Sequence, residues 1–168
     1  MKISMIAAMD ENGLIGAGND LPWGKISRDM AHFRKLTEGK PVVMGRKTFE
    51  SIFSIIGKPL PNRINIVLTK NRDFHAPGCI VATSLDEALA AADDAEEVVV
   101  IGGATVYTLF APIAKCLYLT IIHGSFTGDT YFPSAINLEE WEEIARENHT
   151  PGDLNQLPIT FKTLRKKA

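Results

Sequence analysis

Cysteine is scarce. Cys79 and Cys116 are the only two, they show no C-x-x-C or metal-knuckle spacing, and His32, His75, His123 and His149 stand singly. A disulfide framework and a metal centre are therefore not expected, and a reduced cytoplasmic compartment is; the sequon Asn148-His149-Thr150 would carry no glycan there. Long apolar runs are missing too. Nothing approaches the roughly 20 residues that a membrane-spanning helix needs, and residues 1–9 lead directly into acidic Asp10-Glu11, as a first strand would and a secretory leader would not. There is little net charge, −2, but its two halves differ: residues 1–72 hold 12 basic and 6 acidic side chains, residues 73–168 hold 6 and 14. A basic half on a mildly acidic chain argues against a general nucleic-acid or membrane surface and suits one or two small polyanions. No repeat or linker is present, so 1–168 reads as one domain.

What the chain does contain is a sequence of short apolar runs, each ending in glycine or polar residues. With 45% hydrophobic and 23% charged residues among 168, one core of ordinary size is expected. Strands are read at residues 2–9, 41–45, 64–68, 80–82, 97–101 and 116–122, with helices over residues 28–38, from Arg46 through Ile52, over 85–92 and from Gly103 towards Pro112. Ser27 is a plausible N-cap for the first helix, and Ser84-Leu85-Asp86-Glu87 is a capping box for the third. Residues 141–148 and 159–164 read as an antiparallel pair. The fold class is α/β: a mostly parallel central sheet, an antiparallel C-terminal edge, and helices on both faces.

Chemistry gathers where strands end. Glu97-Val98-Val99-Val100-Ile101 runs into Gly102-Gly103 and a helix start, a junction that bares backbone N–H groups. Val43-Met44-Gly45 runs into Arg46-Lys47-Thr48, where cations at a helix N-terminus oppose the dipole unless an anion sits between them. Leu68 is followed by Thr69-Lys70. In an open parallel sheet such ends converge on one crevice. Residues 10–26 hold four glycines, Pro22 and Trp23; the loop is long, and Leu14-Ile15 and Leu21-Pro22-Trp23 are too apolar for an idle one, so a mobile lid is expected. Glycines at 18 and 24 mimic a P-loop, but the spacing is one residue too long and Ile26 replaces Ser/Thr. In the first helix Asp29 shares a stripe with Phe33, with Met30 beside it, an acid placed to meet an amidine-like heterocycle through paired hydrogen bonds. Residues 53–63, apolar and proline-stiffened, read as a loop walling a pocket that ends at Arg63, whose planar fork suits a carboxylate. Thr120, polar within a buried strand, is either a β-former or a functional hydroxyl.

Ile6-Ala7-Ala8, Leu14-Ile15-Gly16, Leu21-Pro22-Trp23, Asp29 with Phe33, Val43-Met44-Gly45-Arg46-Lys47-Thr48-Phe49, Pro59-Leu60-Pro61-Asn62-Arg63, Ile101-Gly102-Gly103-Ala104 and Gly128-Asp129-Thr130-Tyr131-Phe132-Pro133 follow one another in this order. Together they closely resemble bacterial dihydrofolate reductases over nearly the whole chain. The resemblance implies NADPH-dependent reduction of 7,8-dihydrofolate by a monomer that also binds antifolates. It implies that Asp29 holds the pterin with Thr120 in support, that Ile6, Ala7, Met30, Phe33, Ile52, Leu60 and Ile101 wall the substrate, and that Arg63 takes its glutamate carboxylate. Leu21 and Trp23 would close over the nicotinamide, with Asp129 bonding the lid backbone. Ala8, Ile15, Gly16, Asn19, Asp20 and Thr130 would flank the cofactor; Gly45, Arg46, Lys47, Thr48, Leu68, Thr69 and Lys70 would serve its phosphates; and Gly102, Gly103, Ala104, Thr105, Val106 and Tyr107 would meet its backbone. A cis Gly102–Gly103 peptide is also implied. The chain departs from the pattern with five residues between Trp23 and Asp29 where four are common, with Phe53-Ser54-Ile55-Ile56 as an apparent insertion that makes Ile56 a rival to Ile52, and with Ala104 in place of a third glycine. Two alternatives stay open: a riboflavin-pathway-type reductase of the same fold, and a non-catalytic nucleotide-binding module.

Overall fold

The computed structural model describes all 168 residues. Ten strands and four helices form in chain order: β1 (Lys2–Asp10), β2 (Leu14–Gly16), α1 (Ser27–Thr37), β3 (Pro41–Gly45), α2 (Arg46–Ile56), β4 (Ile64–Leu68), β5 (Ile80–Ala82), α3 (Leu85–Ala92), β6 (Glu97–Gly102), α4 (Ala104–Phe110), β7 (Cys116–Ile122), β8 (Thr130–Tyr131), β9 (Trp141–His149) and β10 (Ile159–Lys166). Eight of the strands make one sheet in the order β5-β4-β3-β6-β1-β7-β10-β9, and β2 pairs with β8 alone. From β5 to β7 every neighbour is parallel; β10 and β9 are antiparallel additions at the edge.

The near-continuous apolar runs are explained by coverage of both sheet faces. Successive residues of each parallel strand alternate between two clusters. Met5, Ala7, Val43, Ile66, Val98 and Val100 pack on one face with Ala88 and Ala92 of α3 and Val106, Tyr107 and Phe110 of α4. Ile6, Val42, Met44, Val67 and Val99 pack on the other with Phe49 of α2, and Phe33 and Leu36 of α1 lie against them. A period of two along the strand thus feeds two cores at once.

Strands β2 and β8 were not expected from the sequence, and several boundaries shift by a residue or two; two helix ends differ in ways that bear on the site. Ile26, not Ser27, is the N-cap of α1, and no side chain caps that helix. Ile26 is drawn inward by a third apolar cluster with Ile122, Ile159 and Phe161, which starts the helix one residue early. Residues 53–56 are not loop but the last turn of α2, closed by Gly57 in the left-handed region at φ 69°, whose N–H donates to the Phe53 carbonyl. Phe53 extends the apolar stripe and packs on Phe49 at 5.3 Å between ring centroids. The α3 cap forms as expected, with Glu87 N–H donating to Ser84 Oγ at 3.1 Å.

Candidate active-site cleft

The cleft begins where a β-ladder stops. β1 pairs with β6 only from Lys2–Glu97 to Met5–Val100, whereas it stays paired with β7 to Asp10. Beyond Met5 the carboxyl ends of β1 and β6 part, and the Ile6 carbonyl accepts a hydrogen bond from Tyr107 Oη at 2.6 Å. Burial pushes the Tyr107 pKa upward, which keeps that hydroxyl a donor. Gly102 lines the same gap at φ 124°, where a Cβ would stand 3.2 Å from Tyr107 Oη, so only glycine suits both the backbone and the space. The Gly102–Gly103 peptide is cis.

The resulting cavity, about 1410 Å³, runs from the end of α1 across the sheet to β4 and β5. It exceeds the roughly 300–1,000 Å³ of a site for one drug-sized ligand. Every residue expected in the site from the sequence lines it, with one exception, Trp23. Trp23 packs edge-on against Phe126 at 6.0 Å and joins the cluster around Ile26, Ile159 and Phe161, while Leu21 faces the cavity. Apolar partners outside the cleft claim the indole. Of that pair Leu21 alone lines the cavity.

One end is apolar, with Asp29 on its wall and Glu38 at its mouth beside Arg63. Asp29 accepts a hydrogen bond from Thr120 Oγ1 at 2.8 Å, and Thr120, buried in β7, sits in register with Ala8 of β1. Burial pushes the Asp29 carboxyl above its ordinary range, and the Thr120 hydroxyl draws it only part of the way back. Phe33, Ile52 and Leu60 flank it, with Ile55 and Ile56 beside Ile52 in the wall; the helical turn over 53–56 lets both isoleucines contribute. At the mouth, Arg63 donates from Nε to Thr37 Oγ1 and from Nη1 to the Pro61 carbonyl, both at 2.9 Å, with its guanidinium 6.0 Å above the Phe33 ring. Its Nη2 makes no bond within the protein and is left for an acceptor.

The other end suits phosphate. The N-terminus of α2 has no side-chain cap and no acid in its first turn, so its N–H groups face the cavity among Arg46, Lys47 and Thr48. Arg46 is steadied by Glu50 at 3.0 Å and by the Phe74 ring at 4.5 Å, whereas Lys47 and Lys70 make no ion pair. Thr69 and Lys70 follow β4. Thr83 and Ser84, which the sequence reading missed, follow β5 by the same strand-end rule. Also missed were Ala31, Arg34 and Lys35 on α1, Glu38 at its C-cap, Ser51 on α2 and Leu109 on α4. Met30, Arg34 and Glu38 recur at i, i+4, i+8 beside the Asp29 stripe, a signal that would have found two of them.

The lid is built rather than loose. Residues 14–16 pair with β8, and a bridge joins Ala17 to Asp20. Gly18 N–H donates to Asp129 Oδ2 at 3.2 Å, Asp129 N–H to the Gly16 carbonyl at 3.0 Å, and Thr130 Oγ1 to Asp129 Oδ1 at 3.0 Å. A Cβ on Gly128 would collide with the Gly16 carbonyl, so glycine permits this approach. Leu14 is fully buried.

A parallel sheet whose crevice joins a phosphate-suited half to an apolar half with one buried acid defines an α/β protein that holds a nucleotide beside a flat heterocycle. Comparison with known proteins gives the particular family. The family model for dihydrofolate reductase matches residues 2–166. The chain is 47% identical over 164 residues to dihydrofolate reductase type 3 of Salmonella typhimurium, covering 98% of both chains, and 46% identical over 165 residues to the Bacillus subtilis dihydrofolate reductase, covering 98% of this chain and 95% of that one. The solved structure of the Enterococcus faecalis dihydrofolate reductase, complexed with NADP(H) and RAB-propyl, matches with a TM-score of 0.91 and 37% identity over 99% of this chain and 97% of that one. The chain belongs to the dihydrofolate reductase family.

Proposed function

We propose that this chain catalyses the NADPH-dependent reduction of 7,8-dihydrofolate to 5,6,7,8-tetrahydrofolate, with hydride delivered to C6 and a proton to N5. The observation that carries the reading is the acid on the apolar wall: Asp29, bonded to Thr120 and to no cation, within a cavity whose far end bares an uncapped helix N-terminus among free lysines. The donor set fits the cofactor. Arg46, Lys47, Thr48, Thr69 and Lys70 supply cations, hydroxyls and helix N–H groups for three phosphates, one of them the 2′-phosphate that separates NADPH from NADH.

Each group then has a physical task. NADPH, when bound, supplies the hydride; the protein supplies placement, desolvation and proton affinity. Asp29 pairs with the amidine edge of the pterin, and its raised proton affinity favours holding a proton within that pair, which favours the protonated pterin. Thr120 fixes the rotamer of Asp29. Ile6, Phe33, Ile52 and Leu60 hold the ring flat, and Arg63 Nη2 takes the α-carboxylate of the substrate tail, which sets the pterin's depth. Ala8 and Ile101 flank the nicotinamide side, and Leu21 with the lid excludes water from the transfer. The same apolar wall and acid are the features antifolates would use.

The two thiols are unpaired, consistent with a reducing compartment, and no helix is long and apolar enough to cross a membrane. We place the protein in the cytoplasm as a monomer acting on small molecules rather than nucleic acid. The test is loss of reduced-nicotinamide absorbance on mixing NADPH and dihydrofolate, repeated with methotrexate. Turnover abolished by methotrexate is expected; absence of NADPH oxidation refutes the proposal.

A further inference from the structure

The helix that carries Asp29 has no cap of its own. α1 starts at Ser27 behind Ile26, and no side chain of its own segment accepts from its first N–H groups. Its first turn is held from far along the chain instead. Arg28 N–H donates to the Leu154 carbonyl at 2.9 Å, and Arg28 Nε donates to Asn155 Oδ1 at 2.7 Å. Asn155 is 2% exposed, and its side chain is committed on every side, since Nδ2 also donates to the Thr150 carbonyl at 3.0 Å and to the Leu157 carbonyl at 2.9 Å. A buried amide that satisfies three partners fixes the loop between β9 and β10 and presents one oxygen to Arg28.

Packing joins the same elements through Ile26, in the cluster with Ile122, Ile159 and Phe161, but leaves a hollow beside the bond. Between the base of the lid and the same loop lies a hollow of about 160 Å³, lined by Trp23, Lys25, Ile26 and Ser27 on one side and residues 153–157 on the other. Arg28 adjoins Asp29 in the first helical turn, and the Asp29–Thr120 bond spans from that turn to β7.

We infer that Arg28 and Asn155 are positioning residues for Asp29: the β9–β10 loop acts as a tertiary cap that sets where the first turn of α1, and with it the carboxylate, sits over β7. The inference rests on the proposed reductase reading, in which Asp29 meets the pterin. Released from the clamp, the first turn shifts outward, Asp29 gains solvent and loses Thr120, and its proton affinity drops towards that of an ordinary carboxylate. The phosphate end of the cleft, on α2, β4 and β5, does not feel the change.

The experiment compares the full-length protein with Asn155→Ala and Arg28→Met, alone and combined. In each variant the Asp29 carboxyl, followed by carboxyl-carbon NMR without ligands, should titrate at lower pH. Single-turnover hydride transfer near neutral pH should fall roughly tenfold, with its decline at rising pH beginning earlier, while NADPH affinity is unchanged. The double variant should be no worse than Asn155→Ala alone, because that substitution already removes the bond that Arg28→Met removes, together with the two that hold the loop. An unmoved Asp29 titration, or loss of NADPH affinity in step with hydride transfer, overturns the inference whatever happens to the melting temperature. A wild-type protein inert towards dihydrofolate refutes the reductase reading instead, and the NMR titration still decides the positioning role.

Discussion

Two buried carboxylates show how the same side chain is driven in opposite directions. Asp29 has one hydroxyl donor and apolar neighbours, so burial holds its proton affinity up. Asp10 is fully buried, where Asp29 is partly so, and burial by itself would raise it, but three backbone N–H groups, of Phe126, Leu14 and Asn12, donate to it at 2.8–3.0 Å and bring it below the ordinary range. Linkage gives each a sign. The stability tied to Asp29 is fully present below the ordinary carboxylate pKa and is lost as pH rises through its raised folded value. Asp29→Asn should therefore melt higher than wild type near neutral pH, with the gap closing in acid, while hydride transfer falls about a hundredfold or more and NADPH binding persists. Calorimetry across pH together with single-turnover kinetics checks both halves. Asp10 works the other way: its contribution is present above the ordinary carboxylate pKa and is lost as pH falls through the lowered folded value. Asp10→Asn turns an NH₂ group or a weaker acceptor towards three buried donors and should cost about 3 kcal/mol near neutral pH, measured by denaturant unfolding, with the penalty shrinking in acid.

Among the elements, the lid was legible in the sequence as a loop too apolar to be idle, and the family resemblance named Asp129 as its partner, but the strand pairing that joins them was not legible. Leu14 and Ile15 announced burial; that β8 would pair with β2, and that Asp129 would receive Gly18 N–H, depended on two segments more than a hundred residues apart meeting. Asp129 is exposed, and its pKa is lowered chiefly by the Gly18 N–H and then by the Thr130 hydroxyl. Asp129→Ala should slow hydride transfer roughly tenfold by depopulating the ordered lid, an effect that stopped-flow kinetics would detect and a melting curve would largely miss. Trp23 illustrates the limit of reading a loop by composition. Its size predicted an apolar partner, but not whether that partner was the ligand cleft or Phe126. The last turn of α2 was misread for a related reason: residues 53–56 are apolar all along, and only Gly57 in the left-handed conformation marks the helix end. Arg34, Lys35 and Glu38 were missed because charged residues on an amphipathic helix read as solvated surface until a cavity is seen beside them.

For the molecule as a whole, the charge asymmetry has a location. The basic first half supplies α2, the β4 end and Arg63, which surround the cleft, while many of the acids of the second half decorate β9 and the 3-10 turn before it, away from it. The field at the cleft is thus positive on a net-negative protein. NADPH affinity should fall several-fold as ionic strength rises from about 0.05 to about 0.5 M, as the Debye length shrinks from over 10 Å to about 4 Å, and equilibrium titration would measure it. Lys47→Gln should flatten that dependence. Sequence alone determined the strands of the main sheet, its mostly parallel character and the strand ends suited to anions, but not β2 or β8, because a strand buried on both faces must be apolar and the glycine that ends it is visible in one dimension. Order, register and encounter belonged to tertiary structure. The gap between β1 and β6 opens where their pairing ends after Met5 and Val100, Thr120 reaches Asp29 across 91 residues, and the Leu154 carbonyl accepts the Arg28 N–H in the first turn of α1 from the far end of the chain. Contacts of such separation leave no local pattern in the chain, since each residue type is compatible with many partners and only closing the fold selects one.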